Sequence, residues 1–186
     1  MSSRTAAALL ACGVFVAALW VSGGAAGQNP PASREQILEV HSKDEKGSPE
    51  NGRPLFDVRC AGCHRFGGIG KDVGPDLTTI TSRFKKRDIL ESILWPSKTI
   101  SDQYQAEMFE LNDGSVVSGL IVRENATAVL VRTSANPEKP VVVSKAQIAN
   151  RVAATISLMP EALLDDLDST QIVDLLAFVM APPPAK

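Results

Sequence analysis

The chain has few of the residues from which metal centres and acid–base machinery are usually built. It contains two histidines, His41 and His64, and three cysteines, Cys12, Cys60 and Cys63, spread over 186 residues. Three cysteines make no disulfide framework, and a structural zinc site, which takes four nitrogen or sulfur ligands, cannot be assembled at one place from so small a set. Charge of one sign is also lacking. The formal net charge of −2 argues against a generic nucleic-acid binder. The length leaves no room for two large domains, only for one ordinary domain or a small one carrying an insertion. Apolar residues at 44% and charged ones at 22% fit a globular protein.

There is one long apolar run, residues 5–21, preceded by Ser2-Ser3-Arg4 and followed by Ser22-Gly23-Gly24-Ala25-Ala26-Gly27. A short positive start, an apolar stretch and small residues at its end make a secretory signal peptide over residues 1–27, cut after Ala26 or Gly27. The run is also long enough to stay uncut as a membrane anchor. Leu9-Leu10-Ala11-Cys12 has the shape of a lipoprotein site, but the apolar run continues well past Cys12. The expected location is periplasmic or otherwise exported. Removal of the signal takes Cys12 with it, leaving Cys60 and Cys63. In an oxidising compartment these two would tend to close a strained short-loop disulfide unless something else consumed their sulfurs.

Downstream, residues 28–51 read as a polar arm. It contains a short helix signalled by the capping-box spacing Ser33 to Gln36, then a charged run rich in Gly, Ser and Pro over residues 41–52, expected to be mobile. Residues 53–63 show helical apolar spacing through Leu55, Phe56 and Val58, with Pro54 at the expected first helical position. The glycines of residues 65–75 argue against regular structure and for close backbone approach to something wrapped by the chain. Helical periodicity returns over residues 87–95, stopped by Pro96, and again after Asp168, ending at the prolines of residues 182–184. Between these lies the opposite period. Residues 107–111, 115–123, 127–133, 140–144 and 151–156 are rich in Val, Ile and Thr, and turn signals at Asn112-Asp113-Gly114, Glu124-Asn125-Ala126 and Asn136-Pro137-Glu138 separate them. Five such strands suit a small SH3-like or Sm-like β-barrel over residues 103–156.

Cys60-Ala61-Gly62-Cys63-His64 is the most informative stretch. Two cysteines three positions apart on a helical turn lie on one side, so both sulfurs can bond the vinyl-derived carbons of one porphyrin while the next histidine meets its iron. Other readings compete. Zinc lacks ligands. A thioredoxin-like dithiol wants a strand–turn–helix setting rather than a helix end followed by glycines. A plain structural pair of cysteines beside a histidine is the remaining option.

Together with Gly52-Arg53-Pro54-Leu55-Phe56, Arg65-Phe66-Gly67-Gly68, Val73-Gly74-Pro75-Asp76-Leu77, Asp88-Ile89-Leu90-Glu91-Ser92-Ile93-Leu94, Pro96-Ser97-Lys98, Ser157-Leu158-Met159-Pro160 and Asp174-Leu175-Leu176-Ala177-Phe178, the pentapeptide resembles cytochrome c domains. The resemblance is strongest to a haem-binding domain type of planctomycete and verrucomicrobial proteins. It implies an α+β chain, mainly a helical cytochrome c fold over residues 52–102 and 157–182 interrupted by the small barrel. It implies one covalent haem c with its iron, bound by Cys60, Cys63 and His64, and the Pro75 carbonyl as acceptor for the other ring N–H of His64. It further implies Met159 as the sixth ligand. Met108 sits in a strand pattern and Met180 on the last helix, whereas Met159 lies in a loop beside proline. Met159 as a core residue and His41 as distal ligand stay open, although the segment around His41 is polar.

The implied function is single-electron transfer to or from a redox partner such as a dehydrogenase or another cytochrome, without enzymatic activity of its own. A haem-based sensor or small haem enzyme with a displaceable sixth ligand is the alternative. With His64 on iron and His41 in the arm, no Ser-His-Asp arrangement remains. Residues 53–98 hold nine Lys and Arg against five Asp and Glu. Arg65, Lys71, Arg83, Lys85, Lys86 and Arg87 are therefore candidates for docking an acidic partner, or an ordinary solvated surface.

Overall fold

The computed structural model describes residues 32–184, so the expected signal peptide, its expected cleavage site and Cys12 lie outside the described residues. Helix α1 (Arg34–His41) starts where its sequence dictates: the Ser33 hydroxyl accepts from Gln36 N, and the Gln36 side chain accepts from Ser33 N. Helix α2 (Pro49–Arg59) begins four residues earlier than its apolar spacing suggests. Ser48 caps it through Asn51 N, and Pro49 occupies the first helical position, where its missing N–H is no loss. Pro54 falls inside the helix on an exposed face and removes one donor there. Helix α3 (Lys86–Leu94) is started by the Asp88 carboxylate on Lys85 N and stopped by Pro96, and α4 (Ser169–Met180) by a reciprocal cap between Asp168 and Gln171.

The segment 41–52 is not the mobile arm expected of its composition. His41 is only 4% exposed and bonds Glu45 Oε2 through Nδ1 at 2.9 Å. The chain then crosses α4 backbone to backbone. A Cβ on Gly52 would sit 2.0 Å from Asp174 O, and one on Gly47 2.5 Å from Val173 O. Asp174 is buried, and its Oδ1 accepts from Ser48 N at 2.7 Å. Glycines that looked like solvent punctuation are the sites where two helical segments approach each other.

Ile37, Leu38, Phe56, Phe66, Ile89, Leu90, Leu94, Leu164 and the apolar stripe of α4 form one core. Phe56, Phe66 and Phe178 pack mutually, with ring centroids 5.3–5.8 Å apart. Side chains of this size contribute about 1.5–3 kcal/mol each when fully buried.

Two short strands, β1 (Arg65–Phe66) and β2 (Ile69–Gly70), pair as a two-residue ladder inside the glycine-rich stretch, where no regular structure was expected. Gly67 and Gly70, at φ +62° and +86°, turn the chain between and after them. The second sheet holds β3 (Glu107–Leu111), β4 (Val116–Glu124), β5 (Ala128–Arg132), β6 (Val141–Ser144) and β7 (Ile148–Ala153) in the order β6-β5-β4-β3-β7, all antiparallel. Its inner face is a second core of Phe109, Val129, Val131 and Val143. The protein is therefore α+β.

The expected closed barrel is not found. Among the described residues no ladder joins β6 to β7, and a single 3-10 turn, Lys145–Gln147, carries the chain between these two edges. The fifth strand also sits three residues earlier than its Val, Ile and Thr content suggested. Ile156, counted into it, is 70% exposed. Among the described residues no helix is long and apolar enough to cross a membrane.

Candidate functional site

Helix α2 delivers the Cys-x-x-Cys-His motif and stops on it. Cys60 N donates to Phe56 O at 2.8 Å as the last helical bond, after which Cys63 N and His64 N both donate to Cys60 O, at 3.0 and 2.8 Å. The resulting tight turn keeps Cys60, Cys63 and His64 on consecutive corners of one backbone loop. Both cysteines are free thiols. Burial pushes the Cys60 thiol up to about 11, against a smaller opposing pull from Arg59, so Cys60 is held neutral.

Residues 71–75 fold back over the motif. Val73 N and Gly74 N both donate to Cys63 O, at 2.9 and 2.8 Å, and Lys71 N donates to His64 O at 3.3 Å. Gly74 lies flat against the imidazole; a Cβ there would be 2.8 Å from His64 Cε1 and 3.3 Å from Nε2. His64 Nδ1 and Pro75 O are 2.8 Å apart. A carbonyl only accepts, so Nδ1 carries the proton and Nε2 presents its lone pair. Burial holds the His64 pKa below the ordinary imidazole value, with the Pro75 bond working in the opposite sense. The ring is thus a neutral ligand of fixed tautomer.

The cytochrome c family model matches residues 49–129, from the first turn of α2 through the motif and into β5. Over that span the chain carries a cytochrome c domain. No curated protein matches the chain. Such a domain implies covalently bound haem c with its iron, and the donor set of this chain fits that group. It offers two free thiols three positions apart, an imidazole with Nε2 unprotonated, and a glycine-lined loop that no side chain could share with the ring. Zinc fits worse: among the described residues no three His, Cys, Asp or Glu side chains cluster as a metal site.

Met159 lies in the 154–168 segment, partly buried, with its N–H on Ser157 Oγ at 3.1 Å. That segment is tied down at both ends. Ser157 N donates to Ser97 Oγ just beyond α3, at 3.1 Å. Arg59, the residue before Cys60, donates to Leu163 O and to both carboxylate oxygens of Asp166, each at 2.9 Å. Ala162 holds φ +64°, a left-handed conformation that costs a non-glycine residue about 1–2 kcal/mol. His41 is buried beside Glu45 on the α1 side of the core.

Arg59 and Asp166 escaped the sequence reading. They are 107 positions apart, and nothing in either neighbourhood signals the other. The basic residues of 53–98 prove to be largely spoken for. Arg65 pairs with Asp72 and Asp76, Lys71 with Glu138, and Lys86 donates to Lys43 O. Phe56 and Phe66 are closed within the core, while Leu77, Ile80 and Trp95 lie partly buried at its margin.

Proposed function

We propose that this protein is an exported mono-haem cytochrome that carries single electrons. In this reading Cys60 and Cys63 would hold one haem c by thioethers, and His64 Nε2 and Met159 would be the ligands of its iron. The observation that carries it is the His64–Pro75 hydrogen bond, which orients the ring and supplies the lone-pair tautomer that a metal needs. When bound, haem supplies a one-electron ferric/ferrous couple. The chain's own residues keep the ring neutral and hold the Met159 segment through Ser97 and Arg59. A thioether at Cys60 also removes an ionisable group from apolar surroundings. With His64 and Met159 both engaged by the iron, no site would be open to oxygen or peroxide, which favours electron transfer over catalysis.

Residues 1–27 serve as export signal or uncut tether, and the partner is a redox protein such as a periplasmic dehydrogenase or another cytochrome. The five strands form a unit inserted between helical halves 52–102 and 157–182, an SH3-like arrangement left open at one seam. On its motifs, the domain belongs with the planctomycete and verrucomicrobial type.

The test is optical and by mass. Protein matured in a periplasm is expected to exceed the mass of the bare polypeptide by one haem. It should show the weak red thioether-to-iron band, lose that band in Met159→Ala, and resist carbon monoxide. Ready carbon monoxide binding by the wild type would turn the reading to a sensor or small enzyme. A colourless, unmodified chain would end it.

A further inference from the structure

The five-stranded sheet reaches the 71–74 segment beside the histidine. The alternation of β5 turns Val129 and Val131 into the inner core and leaves Arg132, paired with Leu120 on β4, on the opposite face. From there the Arg132 Nη1–H donates to Asp72 O at 3.3 Å. Its Nε–H is buried without a partner, an arrangement that costs about 1–3 kcal/mol and that packing of the sheet alone does not call for. In the connection between β5 and β6, Glu138 pairs with Lys71 at 2.7 Å.

Asp72 and Lys71 belong to the segment that donates Lys71 N to His64 O, and Val73 N and Gly74 N to Cys63 O. Between this segment and the sheet lies a cavity of about 320 Å³, lined by Val73 and Gly74 on one side and by Leu120, Val122 and Arg132 on the other. A gap of that size is not close-packed, so apolar contact does not hold the segment at a fixed distance from the sheet there. The polar links do.

We propose that the sheet is a buttress for the proximal histidine, with Arg132 as a positioning residue. Arg132, aided by Glu138, holds the 71–74 segment against the His64 ring and so sets the His64–Pro75 hydrogen bond. This rests on His64 being the iron ligand. The sheet then acts on the site from the histidine side.

The experiment is amide hydrogen exchange by NMR on the haem-loaded protein, comparing wild type with Arg132→Met, Glu138→Gln and the double variant. The Val73 and Gly74 amides are expected to exchange about ten-fold faster in the double variant, with the His64 Nδ1–H signal shifted and the Ile89 and Leu90 amides unchanged. Ser97→Ala, which releases the Met159 segment instead, should leave Val73 and Gly74 protected. Should Arg132→Met fail to fold, Arg132→Lys keeps the charge and shortens the reach, and it should give the same local loss. Unchanged exchange at Val73 and Gly74 in a folded Arg132 variant would overturn the proposal. Absence of haem from the wild type would instead defeat the functional reading, a separate outcome read from the visible spectrum.

Discussion

Gly74→Ala isolates the contact on which the histidine's orientation depends. The backbone at Gly74 is not in the left-handed region, so alanine is conformationally allowed and the effect is steric. The new Cβ would lie 2.8 Å from His64 Cε1, 3.2 Å from Nδ1 and 3.3 Å from Nε2. Ordinary carbon contacts lie at about 3.5–4.0 Å. Something must therefore move by roughly 0.7 Å or more to restore contact distance. The backbone cannot give readily, because Gly74 N is bonded to Cys63 O at 2.8 Å. The ring moves instead, and an Nδ1 to Pro75 O separation of 2.8 Å opens toward the limit of a hydrogen bond. Overpacking of this kind costs about 1–3 kcal/mol, and a weakened buried hydrogen bond about 1 kcal/mol more. Reduced freedom of the unfolded chain returns about 0.4–1 kcal/mol. The expected net loss is about 2–3 kcal/mol, read by denaturant unfolding of the haem-loaded protein, with the Nδ1–H proton shifted in NMR. Gly62→Ala is the internal control: it lies within the motif, but its Cβ would meet nothing within 4 Å. Equal stability of the two variants would refute the reasoning.

Gly52→Ala should destabilise by about 2 kcal/mol or more in thermal unfolding despite better helix propensity, since its Cβ would lie 2.0 Å from Asp174 O and drive α2 from α4. Arg59→Ala should release the 160–168 segment, giving several-fold faster proteolysis there and weakening the red thioether band, whereas Arg59→Lys restores part of the protection; equal cleavage rates would count against the clamp. Protein made without haem attachment should lose stability as pH rises from about 9 to about 11, because over that window the unfolded chain surrenders a Cys60 proton that the folded chain keeps; above it the effect levels off. The same unloaded protein should lose stability as pH falls below the ordinary imidazole range, since burial depresses the His64 pKa and the unfolded chain binds that proton first. Urea midpoints across the pH range check both, and haem-loaded protein, with these atoms occupied, should show neither.

Local signals served well wherever one residue type settles the backbone. The Ser33 and Asp168 caps, the Pro96 stop and the turn at Asn112-Asp113-Gly114, with Gly114 at φ +81°, all stand where the sequence places them. The Ser48-Pro49 cap sets the start of α2, whereas its apolar spacing begins only at residue 53. The packing of 41–52 was illegible for a different reason. Glycine in a charged run reads as a loop, and only α4, more than 120 positions away, makes it a close contact. The open seam between β6 and β7 and the offset of the last strand depend on pairing with β3, which period-two alternation does not encode. Arg59 with Asp166, and Arg132 with Asp72, are likewise long-range pairings of residue types that are usually solvated.

The span matched by the family ends at residue 129, yet the motif depends on residues far beyond that point. Phe56 lies one turn before Cys60, and Phe66 two positions after His64. Both are almost wholly buried, and both pack on Phe178 of α4. The same helix receives Gly47 and Gly52 on its backbone and takes Ser48 N on Asp174. The turn that presents Cys60, Cys63 and His64 is thus held from beneath by the last helix, at one side by Arg59 on Asp166, and over the imidazole by the 71–75 segment. Removing α4 would leave every residue of the pentapeptide in place and take away the surface on which both flanking aromatics rest. A site that must hold one ring nitrogen to a fraction of an ångström therefore draws on residues from nearly the whole described chain, and the sheet contributes to it through Arg132.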